Sequence, residues 1–329
     1  MKVMSIDRKK KQVTGYGSID LDPVKVQNSL DGDDDYLYTN LVELIGKNLV
    51  GSLPSNHVAL GIPANRTFTR TFTLPTSAES TLKDAITLEV EQYIPIAVAE
   101  LYVDYRVIER SKEQLTVLMC AVPRKIIDSC LSIVEKANLR VCIVEPSVFA
   151  VARLLEKTEE GHLPTVIVDI GPASTDIAVL DGSIRVAGSL NVGGNTFTLD
   201  IAKKMKVPLE NAHQLKVLNG LSPGSRQQKI TEALKPSLER IINETRKVMR
   251  YYDERLSEHR KIEQLLIVGG GANVPGIGDY FTNDLIMPAR VASPWQQLDF
   301  GKLPEPAKQF RPRYITVAGL ASINPRGIW

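Results

Sequence analysis

Short apolar runs bounded by polar or glycine-rich breaks alternate along this chain with longer stretches of helical period. MKVMSID and QVTGYGSIDL each read as a strand, and the basic turn Arg8–Lys11 between them makes a hairpin. The acidic run Asp31–Asp35 precedes a helical pattern of Leu37, Leu41, Leu44, Ile45 and Leu49. Negative charge suits a helix N-terminus, so the run reads as a loop and cap. HVALGIP at 57–63 is the next strand. From Arg66 the texture changes: TFTRTFTLP alternates strictly, a helical face of Leu82, Ile86, Val90 and Tyr93 stops before Pro95, and strand patterns follow near 101–110 and 114–122. Thr76 and Glu79 have capping-box spacing at the start of this stretch. The order strand, helix, strand, strand describes a small inserted subdomain. An amphipathic helix at 124–138 and the strand RVCIVEP then return the chain to the first sheet, before a helix at about 147–157.

The second half repeats the alternation. TVIVDIGPASTDIAVLDG at 165–182 is a strand hairpin, SIRVAGSLNVGGN follows, and a helix runs near Thr196–Met205. Residues 207–260 are helical and charged, with Leu234, Leu238, Ile242, Met249, Tyr252 and Leu256 as a buried stripe and Pro236 marking a helix start. LLIVGGGANVPG at 265–276 supplies strand, turn and helix, and YITVAGLASI at 314–323 a last apolar helix. The pattern predicts an α/β protein of two lobes: 1–65 and 124–160 in the first, 66–123 inserted, 161–206 and 263–329 in the second, and 207–262 as a helical subdomain.

Composition narrows the function classes. A net charge of +2 over 329 residues gives no support for nucleic-acid binding. Cys120, Cys130 and Cys142 match neither a metal site nor a disulfide framework, which fits a reducing cytoplasm. No segment approaches the length of a spanning helix, so membrane association is expected only through a partner.

Three segments carry candidate chemistry. In 165–182 a buried strand ends at Asp169-Ile170-Gly171 and returns with Ser174, Thr175 and Asp176. An Asp, small side chains and backbone amides at such a turn suit an anion with a metal ion. Asp169 would meet the cation, directly or through water, while hydroxyls and amides meet terminal phosphates. A tight hairpin that merely needs small residues would use the same types. Gly193-Gly194 precedes a helix whose amides suit a phosphate, or is a plain strand-to-helix turn. Gly269-Gly270-Gly271, followed by Ala272 and Asn273, lets a planar ligand or phosphate lie against backbone. Together the segments suggest a nucleotide cleft.

In character and order these motifs resemble those of the actin-like ATPase superfamily. The inserted subdomain, EVEQYIP at 89–95, VPLENAHQLK at 207–216 and ITVAGLA at 315–321 are similar to the PilM family of type IV pilus assembly proteins, relatives of the division protein FtsA. The resemblance implies a two-lobed actin-like (ribonuclease H-like) fold binding ATP or ADP with Mg2+ between its lobes. It implies a cytoplasmic scaffold at the inner face of the membrane that captures the N-terminal cytoplasmic peptide of PilN beside the inserted subdomain. Pilus motor ATPases, the platform protein and self-association are further implied contacts, and any ATPase activity would be slow. Lys216 would lie near the base and His213 at the ribose, where relatives carry Glu; a surface histidine is the alternative. Glu145 falls where relatives orient water, or is an ordinary strand-end residue.

One departure bears on affinity. The superfamily's first phosphate loop, D-x-G, precedes residues like MKVMSID, with which this chain opens. Losing roughly three phosphate hydrogen bonds at ~1.5–3 kcal/mol each would weaken nucleotide binding by about three to six powers of ten. The expectation is that residues precede Met1 or that nucleotide is held weakly. Two rivals remain: an FtsA-like polymerising division protein, disfavoured by the INPRGIW ending, and a small-molecule kinase of the same superfamily.

Overall fold

The computed structural model describes residues 1–7, 9–32, 35–156, 163–256 and 260–323. Arg8 of the basic turn, two residues of the acidic run, the end of the helix at 147–157 and most of INPRGIW lie outside them. The chain divides into two compact units, one built on Met1–Ser147 and the other on Val148–Leu298 with Glu305–Gly319.

The first unit opens with β1 (Lys2–Asp7), β2 (Gln12–Ser18), α1 (Pro23–Asp31), α2 (Tyr36–Lys47) and β3 (Leu49–Gly51). The order β1-β2-β3 makes an antiparallel sheet. α1 is an addition to the predicted elements. Asp22 caps it, accepting from the amides of Val24 and Lys25, Pro23 sits in its first turn, and Gly32 closes it at φ 90°. Asp31 therefore ends a helix, whereas Asp35 stands at the start of α2 without a side-chain cap. β4 (His57–Ile62) pairs in parallel with β8 (Arg140–Pro146) as a separate ladder. The expected return to the first sheet is thus corrected: β1, whose register on β2 shifts past Thr14 between Ser5 and Ile6, is that sheet's edge among the described residues.

Between those strands lie β5 (Phe68–Pro75), α3 (Leu82–Tyr93), β6 (Leu101–Arg110), β7 (Gln114–Pro123) and α4 (Arg124–Lys136). β5, β7 and β6 form an antiparallel sheet in that order. Ile86 and Val90 of α3 bury against Phe72, Leu115, Val117 and Met119, giving this insertion its own core. The capping box at Thr76 does not form. The Thr76 hydroxyl donates to the Lys112 carbonyl, Glu79 pairs with Arg110, and the α-helix begins six residues later after a 3-10 turn. Burial pushes the Cys120 thiol up to about 12 and Cys130 up to about 11, so neither is poised as a thiolate.

The second unit comprises α5 (Ser147–Glu156), β9 (Thr165–Ile170), β10 (Thr175–Asp181), β11 (Ser183–Leu190), α6 (Gly194–Met205), α7 (Leu209–Leu218), α8 (Gln227–Arg255), β12 (Gln264–Val268), α9 (Ile277–Leu285), β13 (Ala289–Val291) and α10 (Ile315–Ala321). Its sheet runs β11-β10-β9-β12-β13, with β9 antiparallel to β10 and parallel to β12. β9 and β12 read as continuous apolar runs because both their faces are covered. Leu234, Leu238, Ile242 and Tyr252 of α8 join the same core.

Pro236 lies inside α8 and does not begin a helix. Its missing N–H leaves the Glu232 carbonyl without its helical donor, but both residues are exposed, so the carbonyl is open to solvent. The buried stripe on the opposite face holds the helix continuous. Pro236→Ala restores one helical hydrogen bond on an exposed face. We expect it to stabilise the protein by about 1–2 kcal/mol, after the entropy returned to the unfolded chain is set against the gain. Urea denaturation should show a higher midpoint at unchanged slope.

Candidate functional site

The two glycine-bearing motifs meet because of one register. Val268 pairs with Asp169 in the parallel ladder, so Gly269 emerges beside the end of β9. Gly269 takes φ 82°, and a Cβ there would lie 2.2 Å from Asp169 Oδ1 and 2.6 Å from the Ile170 carbonyl oxygen. At Gly271 a Cβ would lie 2.2 Å from Ile170 Cγ2. These two glycines are therefore demanded by close packing of one strand end on the other. Gly270 is different: its nearest neighbour would be Arg313 Cγ at 3.7 Å. Ala272 is buried, and Asn273 Nδ2 donates to the Gln309 carbonyl at 2.6 Å, tying the glycine turn to the segment before α10.

The hairpin is closed by the Gly171 amide donating to the Ser174 carbonyl at 2.9 Å. Asp176 stands directly opposite Asp169 across the hairpin, so two carboxylates share one stretch of the strand pair. Thr175 is fully buried, and its hydroxyl donates to the Val192 carbonyl at 2.7 Å. That corrects its expected place among phosphate-facing hydroxyls: Thr175 anchors the loop before α6. Ser174 and Gly171 are partly exposed on the turn.

The start of α6 is also committed internally. The Gly194 and Asn195 amides donate to the Gly171 and Pro172 carbonyls, each at 2.9 Å, and the Gly193 amide donates to the Thr196 hydroxyl at 3.3 Å. A Cβ on Gly193 would come within 2.5 Å of the Gly171 oxygen, so glycine is needed there for the hairpin to dock. The helix start braces the hairpin turn with the amides that sequence reasoning assigned to a phosphate.

Cationic side chains supply what those amides do not. Lys216 on α7 is 7% exposed, and its Nζ donates to the Gly194 carbonyl and the Thr198 hydroxyl, each at 2.8 Å. Burial, then the nearby Arg313 guanidinium, bring the Lys216 ammonium down to about 8. Arg313 thus belongs to this corner, between Gly270 and Lys216. Sequence reasoning missed it because R-P-R-Y before an apolar helix carries no distinctive spacing. His213 is exposed on α7 one turn before Lys216. Glu145 lies in the first unit, half-buried on β8 opposite Gly61.

An Asp-Gly hairpin and a triple-glycine turn at adjoining strand ends, beside a buried lysine, together with the inserted strand-helix-strand-strand subdomain, make this an actin-like (ribonuclease H-like) α/β protein. The solved PilM-PilN type IV pilus biogenesis complex matches it with a TM-score of 0.82 at 20% identity, over 97% of this chain and 94% of that one. The sequence profile of the family "Type IV pilus assembly protein PilM" matches residues 23–323, and the chain belongs to that family. Curated relatives include the cell division protein FtsA of Borreliella burgdorferi, 26% identical over 49% of this chain and 43% of its own length. The ethanolamine utilization protein EutJ of Salmonella typhimurium is 30% identical over 46% of this chain and 47% of its own. The chain thus spans about half the length of these curated relatives.

The glycines separate by role. Gly269→Ala and Gly271→Ala should each cost about 2–4 kcal/mol, because backbone or a β-branched side chain must move. Gly270→Ala should leave the denaturation midpoint within the range of a neutral surface change. Chemical denaturation of the three variants checks the order.

Proposed function

We propose that this chain is an actin-like, nucleotide-binding scaffold of type IV pilus assembly, holding ATP or ADP with Mg2+ at the strand ends of its second unit. The observation that carries the nucleotide reading is the convergence of Lys216 and Arg313 on the glycine-lined ends of β9 and β12. The fit is good for an anion. A buried lysine with a second cation beside it is costly until negative charge arrives, and a side chain at Gly270 would reach toward Arg313. For the metal, Asp169 is the candidate, with Asp176 opposite. Among the described residues no group of three or more His, Cys, Asp or Glu side chains could hold a metal ion. Mg2+, which keeps several waters and takes phosphate oxygens, needs only one or two carboxylates. When bound it would neutralise phosphate charge; Lys216 and Arg313 would position the nucleotide. Gly171, Ser174, Gly193, Gly194, Gly269, Gly271, Ala272 and Asn273 would shape the cleft, and His213 would lie near the ribose.

The partner proposed is the N-terminal cytoplasmic peptide of PilN, held beside the inserted subdomain. Family membership and the likeness to the PilM-PilN complex support it. Among the described residues no helix is long and apolar enough to cross a membrane. Attachment to the inner face of the cytoplasmic membrane through PilN follows from that reading, with motor ATPases and the platform protein as neighbours.

Calorimetric titration tests both parts. ADP with Mg2+ should bind, and Lys216→Met should weaken it about 10- to 100-fold, the worth of one hydrogen bond to a charged group. The PilN N-terminal peptide should still bind that variant. No peptide binding to the unsubstituted protein with nucleotide present would remove the partner from the proposal.

A further inference from the structure

We infer that the outer edge of β6 is a self-association surface, on which a second copy of this chain adds its own β6 antiparallel, with Tyr105 opposite Tyr105. The inference concerns the inserted subdomain and is independent of the nucleotide reading.

Among the described residues β6 pairs with β7 alone, and Asp104, Tyr105 and Arg106 at its middle are all exposed. The Tyr105 amide donates to the Asp104 carboxylate at 2.8 Å, a bond within its own strand. Successive residues of an antiparallel strand turn their main-chain groups to opposite sides. Val103, Tyr105 and Val107 therefore present theirs to the open edge, and such a row is a template for another strand.

The order of side chains along that edge selects a second copy as the occupant. With Tyr105 on the two-fold axis, Asp104 of each copy faces Arg106 of the other and Val103 faces Val107. Five residues thus supply two opposite-charge pairs on one face of the sheet and two apolar pairs on the other. Sliding one strand by two residues in either direction puts Asp104 opposite Asp104 or Arg106 opposite Arg106, so charge fixes the register. Pairing exchanges the bond between Asp104 and the Tyr105 amide for a main-chain bond and frees the carboxylate for the facing arginine. The opposite edge of the sheet, β5, has no such order: its single charge, Arg70, lies over the Tyr93 ring, and the strand ends at Pro75. The register shift on β7 after Val107 ends the ladder, which keeps the contact short and the association weak.

Sedimentation velocity of the full chain tests this. We expect a reversible monomer–dimer equilibrium with Kd on the order of 10–100 µM. Asp104→Arg and Arg106→Asp each set like charges opposite one another twice per dimer, and each should weaken association at least about tenfold. An equimolar mixture of the two variants should dimerise again, since each then faces the charge it lacks. A chain that stays monomeric up to about 1 mM overturns the proposal. So does a dimer indifferent to both substitutions, or a mixture of the variants that stays monomeric. Loss of PilN-peptide binding in both variants, with the unsubstituted chain monomeric, gives the edge to that peptide and overturns self-association there.

Discussion

Val268 opposite Asp169 in the parallel ladder is the register on which the second unit depends. A shift of this register would move Gly269 away from the end of β9. In this register the two chain segments leave the sheet so close together that no Cβ fits at Gly269 or Gly271. The Gly171–Ser174 turn then seats against Gly193, and the first amides of α6 close onto that turn. One strand pairing thereby places a carboxylate, a glycine turn and a helix start in one corner. Lys216 completes it from α7 by bonding the Gly194 carbonyl.

Much of this was legible in the sequence, although part of it for a different reason. Apolar runs at 165–170 and 264–268 mark buried strands because parallel strands covered on both faces need no alternation. The glycines and the small turn were equally visible. Their meaning was open, since glycine serves close backbone packing and ligand approach alike. Packing divides them: Gly193, Gly269 and Gly271 leave no space for a Cβ, while Gly270 has room around it. Thr175 is of a type that suits a ligand, but in a strand buried on both faces its hydroxyl is taken by the Val192 carbonyl.

Elsewhere local signals gave way to longer-range contacts. The spacing of Thr76 and Glu79 permits a capping box, yet both side chains are drawn to the β6–β7 hairpin region at Lys112 and Arg110. Pro236 carries a helix-start signal that the buried face of α8 overrides. By contrast α1 had a readable start, Asp22 followed by Pro23, which the acidic run downstream obscured. Arg313 could not be found from sequence, because its importance comes from a fold that carries it back to a lysine 97 residues earlier.

The balance between amides and side chains shapes what this corner can do. A phosphate cradle built from backbone N–H groups carries fixed partial charges that do not titrate and cannot withdraw. Here the amides of Gly194 and Asn195 are spent on the hairpin, so in the proposed site attraction for an anion would fall to Lys216 and Arg313. Side-chain cations held close together raise the free energy of the empty site and release it only when negative charge arrives. A nucleotide bound on those terms would add stability to the second unit that grows with the logarithm of its concentration above Kd. In the scaffold proposed above, that link between nucleotide and stability would need no catalytic base.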